Sequence, residues 1–449
     1  MLAPVLLPLV LAGAVCAQTP LRIAVFRSDV TPPLGSPLCG GAVEPAREIA
    51  DPLSARGIVL LGSARPVVLA SVDWLGIAGE GWDEWREALA AAAGTTADRV
   101  AVHTVHQHDA PVYNPAAERL LVKFGLSGSL YNTRFAAQAL ARTADAARSA
   151  MKRPLPVTHI ATGRAKVDRV ASNRRVPGPD GKVKYVRYSA CKIPEARAEP
   201  EGVIDPYVRV IGFWDASRPL VAITYYATHP QSHYGKGSVS ADFPGLARSI
   251  REKEMPQVFH MHFNGASGNV TAGKYNDGAP ENRPVLAGRL AAGMRSAWEV
   301  SARTAITAAD VEWRVTGVRL PLAEGLRDAA PYRRRLADSA AAPKARVNAA
   351  ISLAYIGRQK RADTVLTLLR LGPSRVIGMP GELFVEYQLA AQDLRPGAFV
   401  AMAAYGDYGP GYIGTRIAYS QGGYETGPPS RTAPEVEAVL LSALRKLLE

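Results

Sequence analysis

His106 and His108 stand two residues apart in Val105-His106-Gln107-His108-Asp109-Ala110-Pro111, directly after the apolar run Val100-Ala101-Val102. In an extended chain, side chains two apart share a face, so a strand ending here presents both imidazoles at its carboxyl end. Two imidazoles aimed one way suit a metal ion, and a pair of hydrogen-bonded or surface histidines is the plain alternative. Further donors decide between these readings. In Ala227-Thr228-His229-Pro230 a third histidine stands where the strand-like run 220–228 ends. Glu382 follows the strand-to-turn segment 375–381 and precedes the amphipathic run 383–389, where the helix dipole also favours a carboxylate. His260 and His262 lie inside the alternating run 258–263 and read as satisfied interior histidines. The small-residue loop 264–271 lets backbone amides approach a ligand, but it lacks the lysine and spacing of a phosphate-binding P-loop.

The elements that must position these residues alternate between strand and helix. Residues 67–73 form a short β-branched run, and residues 81–93 place Trp82, Trp85 and Leu89 at helical spacing before Gly94. Residues 100–105 form the next strand. Strand, helix, strand is a parallel crossover unit, with ligands expected at the carboxyl ends of its strands. Helices are expected over 134–151, 281–300 and 434–448, strands over 311–320 and 398–404, and a hairpin over 207–228. Asp242 reads as the cap of a helix with Pro244 in its first turn. The pattern implies an α/β fold: a mixed, largely parallel sheet core, helices packed outside, and the active site at strand carboxyl ends.

The 449 residues, 47% hydrophobic with 40 Gly and 34 Pro, suit a large globular enzyme-like body with many loops. The formal charge of +13 is spread along the chain, which fits a solvated surface. Peripheral contact with an anionic membrane surface stays open, and no nucleic-acid partner is expected. Residues 1–17 read as a signal peptide: 2–15 are apolar and uncharged, and Val15-Cys16-Ala17 permits cleavage before Gln18. That apolar stretch is too short for a membrane span, so a secreted or periplasmic protein is expected. Cys39 and Cys191 then remain, either paired or as buried thiols. Residues 18–449 read as a single domain, with 326–361 a helical insertion broken near Pro343.

Taken in order, several blocks resemble the neutral/alkaline non-lysosomal ceramidase family and its bacterial relatives. They are Ser28-Asp29-Val30-Thr31-Pro32-Pro33-Leu34-Gly35, Asp51-Pro52-Leu53-Ser54-Ala55-Arg56, His106-Gln107-His108, Ala227-Thr228-His229-Pro230, Gly268-Asn269-Val270-Thr271, Pro380-Gly381-Glu382, and the pair Tyr412 and Tyr424. The resemblance covers nearly all of the mature chain and corresponds to the family's catalytic domain only. It implies a zinc amidohydrolase with the metal held by His106, His229, Glu382 and Tyr412, a donor set that suits zinc. By the same resemblance, His108 orients substrate or relays a proton, and Tyr424 and Arg174 donate to the developing oxyanion. Arg174 rests on the dipeptide Asn173-Arg174, with a structural arginine as its alternative. Thr271, a catalytic candidate, stands where the family has a serine considered a nucleophile or a substrate contact, and Asn269 where it has an aspartate, so zinc hydrolysis carries over better than ceramide specificity does. The expected function is an exported zinc-dependent amidase cleaving an N-acyl, ceramide-like bond by a metal-activated water. The alternatives are a zinc hydrolase of another amide or ester, and a non-catalytic relative that binds lipid or glycan.

Overall fold

Fourteen strands make up the three larger sheets of the computed structural model, which describes residues 19–62 and 64–449. The expected signal segment lies outside the described residues. In the first sheet β1 (Leu21–Asp29), β2 (Ser54–Leu61), β3 (Val67–Val72) and β4 (Val100–Thr104) lie side by side, with the short strand Leu155–Val157 at the β1 edge. The second sheet contains β5 (His159–Lys166), β6 (Tyr207–Asp215), β7 (Arg218–Tyr226) and β8 (Phe259–Asn264), with Ala302–Ala305 beside β5. The third runs β9 (Val311–Val318), β10 (Thr364–Leu371), β11 (Ser374–Gly378) and β12 (Phe399–Ala403).

The expectation of a largely parallel core is corrected: the sheets are mixed and mostly antiparallel. Each of the three has one parallel pair, β3 with β4, β7 with β8 and β11 with β12. The reason is connection length. A parallel return needs a crossover of a dozen or more residues, and each of these pairs encloses a helix. The helices are α1 (Glu80–Ala93), α3 (Asp242–Glu254) and α7 (Val385–Asp393). Elsewhere the links include tight turns, such as Gly372-Pro373 between β10 and β11, which force antiparallel neighbours.

Alternating side chains on these strands build the core in layers. Ile58 and Leu60 of β2 point inward, where they meet Ile211 and Ile223 of the second sheet and Leu369 and Val376 of the third. Val59 and Leu61 point outward into a cluster with Trp82, Trp85 and Leu89 of α1 and Phe135 of α2 (Thr133–Ala150). The outer face of the second sheet packs on α3 and α4 (Asn282–Glu299), and that of the third on α7 and α8 (Val436–Leu448). Each such buried aliphatic side chain contributes about 1.5–3 kcal/mol. Three sheets around one interior therefore bring three sets of strand carboxyl ends together.

Backbone hydrogen bonds show that meeting directly: the Thr104 amide donates to the Tyr405 carbonyl at 3.0 Å, and the Ala404 amide to the Asn264 carbonyl at 3.0 Å. The 326–361 segment forms two helices, α5 (Ala330–Ala337) and α6 (Pro343–Arg361), broken as expected before Pro343. Asp242 is not the cap of α3. Ala241 takes that place, and Asp242 sits at φ 49° with its carboxylate accepting from the amides of Ser232 and Phe243. Cys39 and Cys191 are both free thiols. No described helix is long and apolar enough to cross a membrane.

Candidate metal centre

Each parallel pair delivers one candidate donor. His106 follows β4, His229 follows β7 and Glu382 follows β11, at the end of a turn through Gly381. Gly381 is required there: its φ is 59°, and a Cβ would lie 2.6 Å from the Gly411 carbonyl oxygen.

The two imidazoles are held from behind by backbone. His106 Nδ1 lies 2.7 Å from the Leu75 carbonyl oxygen, and His229 Nδ1 lies 2.9 Å from that of Ser267. A carbonyl only accepts, so each Nδ1 carries a proton and each ring turns its Nε2 outward, the nitrogen free to bind a metal ion. These two Nε2 atoms are 3.1 Å apart, and each is 3.3 Å from Glu382 Oε2. Oε2 is buried and has no hydrogen-bond donor of its own.

Burial alone would raise the Glu382 carboxyl, but positive charge beside it, on His106 and His229 when they carry an Nε2 proton, outweighs burial and holds the group well below the usual range. Burial lowers His229 from 6.5 to about 4, so that ring is neutral near pH 7. Three lone-pair donors thus converge with nothing between them to share, an arrangement that a cation completes. Two nitrogens and a carboxylate oxygen are a donor set that zinc accepts.

His108 stands close by, its ring centroid 4.8 Å from that of His106 and 5.5 Å from that of His229. Ring nitrogens of all three histidines lie within 4.8 Å of one another, so the group could hold a metal ion. Nδ1 of His108 is buried without a partner, and burial pushes its imidazolium well below the ordinary value. Tyr412 is also brought in. Its two-residue strand pairs in parallel with Glu382–Leu383, and its ring stacks on His229 at 6.2 Å and 7°.

Arg174 places its guanidinium 4.9 Å over the Tyr412 ring and 5.5 Å over that of Tyr424. Nε of Arg174 is anchored on the buried Glu425 carboxylate, and Nη2 is buried without a partner. Arg174, Tyr412, Tyr424, His108 and Glu382 all line one cavity of ≈1610 Å³, larger than the few hundred to about a thousand Å³ of most small-ligand sites. His106 and His229 sit behind that lining.

Thr271 is not brought to the cavity. Its hydroxyl donates to the Tyr188 carbonyl at 2.6 Å and accepts from the Gly273 amide at 3.3 Å, so it braces backbone. Asn269 likewise holds backbone, its Oδ1 accepting from the Val385 amide at 2.9 Å. In this arrangement the Thr271 oxygen is engaged with backbone and lies outside the cavity lining.

Two tyrosines escaped the sequence reading. Tyr405 stacks on His106 with centroids 4.4 Å apart, and its hydroxyl is 2.7 Å from Ser267 Oγ. Tyr408 donates to Glu382 Oε1 at 3.0 Å. Both lie just past β12, in the Gly- and Tyr-rich stretch 405–424. His106 and Tyr405 adopt left-handed backbone, φ 75° and 61°, each costing about 1–3 kcal/mol that the surrounding packing must offset.

No protein-family model matches the chain, and no curated protein matches its sequence. Solved structures do match in three dimensions. A neutral ceramidase from Pseudomonas aeruginosa superposes with a TM-score of 0.68 at 16% identity, over 96% of this chain and 74% of that one. A ceramidase complexed with C2 superposes with a TM-score of 0.69, also at 16% identity, over 96% and 75% of the two chains. The chain therefore has the fold of the bacterial neutral ceramidases, with the histidine cluster at the meeting point of its three parallel strand pairs.

Proposed function

We propose that the chain is an exported zinc-dependent amidohydrolase that cleaves an N-acyl bond of a ceramide-like lipid. The observation that carries this reading is the convergence of His106 Nε2, His229 Nε2 and Glu382 Oε2 within 3.3 Å, beside a large cavity. The likeness to ceramidase structures makes ceramide-like amides the first substrate class to test.

In this reading His106, His229 and Glu382 hold the ion, with Tyr412 as the fourth ligand. When bound, zinc lowers the pKa of the attacking water and polarises the scissile carbonyl. The chain's own groups do the rest. The Leu75 and Ser267 carbonyls keep both imidazoles in the tautomer that leaves Nε2 free. His108 faces the cavity with an unpartnered Nδ1, suited to take a proton from water and return it to the leaving amine. Arg174 Nη2 and the Tyr424 hydroxyl donate to the oxygen on which charge develops, and Glu425 fixes the guanidinium. Val112, Leu130, Val347 and Ile351 offer the acyl chain an apolar wall.

The test is fatty-acid release from a ceramide by the purified protein, zinc-loaded and after chelation, beside His229→Ala. Release that vanishes on chelation, returns with zinc and is absent in the variant supports the assignment. Turnover that persists in the variant excludes this metal site. A zinc-loaded protein that releases nothing from ceramide moves the search to other amides and to esters.

A further inference from the structure

The cavity lining carries an excess of positive charge that the protein only partly neutralises. Six cations line the cavity, Arg174, Arg335, Lys344, Arg358, Arg361 and Arg431, against two carboxylates, Glu80 and Glu382. Some of that charge is engaged. Arg358 is bidentate on Asp83, Arg361 reaches Glu80 at 2.8 Å, and Arg431 donates to the Gly409 carbonyl.

Arg335 of α5 and Lys344 of α6 differ. Both are exposed on the cavity lining, and among the described residues neither side chain has a hydrogen bond or an ion pair. Lys344 stands in the first turn of α6, which contains no acidic residue, although the helix dipole there favours an anion over a cation. Lys344 lines the same cavity as Glu382 and His108. From another side of the same cavity, Arg174 presents its buried, unpartnered Nη2.

A neutral lipid would leave these charges unanswered. We propose that the cavity selects an amide substrate carrying an anionic group, a carboxylate or a phosphate, and that Arg335 and Lys344 are the residues that select it. The apolar wall receives the acyl chain while the two cations receive the charged end. This inference rests on amide hydrolysis at the same site and names the substrate class for it.

Three amides with one acyl chain test it: a neutral ceramide, the same ceramide phosphorylated on its headgroup, and an N-acyl amino acid. The zinc-loaded wild type is expected to prefer at least one anionic amide by roughly tenfold in kcat/KM, the scale of two partly screened charge pairs. Which one is preferred identifies the anion as phosphate or carboxylate. Arg335→Gln/Lys344→Gln should remove that preference through KM, with kcat and the neutral substrate unchanged. Equal use of all three amides by the wild type, or an equal loss on all three in the variant, overturns the proposal. Calorimetric binding of the same amides to both proteins separates this failure from failure of the hydrolase reading. If none is cleaved, tighter binding of an anionic amide to the wild type than to the variant still supports selection, and equal binding ends it.

Discussion

Tyr408 donates its phenolic proton to Glu382 Oε1 at 3.0 Å, leaving Oε2 as the carboxylate oxygen that faces His106 and His229. A carboxylate with one oxygen tied back presents the other in a single orientation, and this is how an outer hydrogen bond tunes a metal site. The tie depends on Gly76, because a Cβ there would lie 2.3 Å from the Tyr408 ring.

Tyr408→Phe keeps the ring and removes the proton. Zinc affinity, measured by competition with a chelator, should fall about 10- to 100-fold with the fold intact. Gly76→Ala should produce a similar fall by displacing the ring. Unchanged affinity in both variants would show that Glu382 is oriented by its strand alone.

Metal removal should register in stability. Convergent lone pairs at 3.1–3.3 Å repel one another and only the folded chain brings them together, so an ion held between them should stabilise the fold. At a free zinc concentration about 100 times Kd, the wild type should gain about 2.7 kcal/mol. His229→Ala and Glu382→Gln should lose that gain, and thermal melting with and without zinc checks it. A zinc-dependent rise that survives in Glu382→Gln would assign the ion to the three histidines without the carboxylate.

Acid sensitivity should come from histidines away from the centre. Burial lowers His103 and His260 from 6.5 to about 4, and His262 to about 3. Unfolded, these rings take protons near pH 6.5, whereas the native state refuses them until the lower values. Between those limits the unfolded chain binds more protons, so stability falls as the pH falls, by up to about 1.4 kcal/mol per pH unit for each ring. Above about pH 6.5 these groups contribute no slope. Denaturant midpoints at about pH 7.5 and about pH 5 check this, and equal values would contradict it.

The donors were legible because each stands where a β-branched run ends. His106 after Val100-Ala101-Val102 and His229 after the 220–228 run needed only the strand period to be placed at one end of a sheet. The helical spacing of Trp82, Trp85 and Leu89 likewise revealed the β3-α1-β4 crossover. Sheet direction was not legible in the same way. β2 is buried on both faces and carries Arg56, paired with Glu252 of α3, so no alternation marks its orientation. β10 owes its antiparallel place to a two-residue turn, which says nothing about β12 on the far side of β11. Tyr408 could not be assigned because its role depends on Gly76 and Glu382, which only the assembled sheets bring beside it.

Thr271 separates the proposed chemistry from one that uses a hydroxyl nucleophile. Its oxygen donates to the Tyr188 carbonyl at 2.6 Å, and the Tyr188 ring packs edge-on against Tyr424 at 5.8 Å. Thr271→Val keeps the volume and strands that carbonyl, which should cost about 1–3 kcal/mol of stability. Turnover should survive, with any loss confined to KM through the Tyr188–Tyr424 contact. A hydroxyl that attacked the substrate would instead take kcat down about a million-fold when removed. Measuring kcat, KM and melting temperature on one zinc-loaded preparation distinguishes the two, because a bracing residue moves stability and a nucleophile moves kcat.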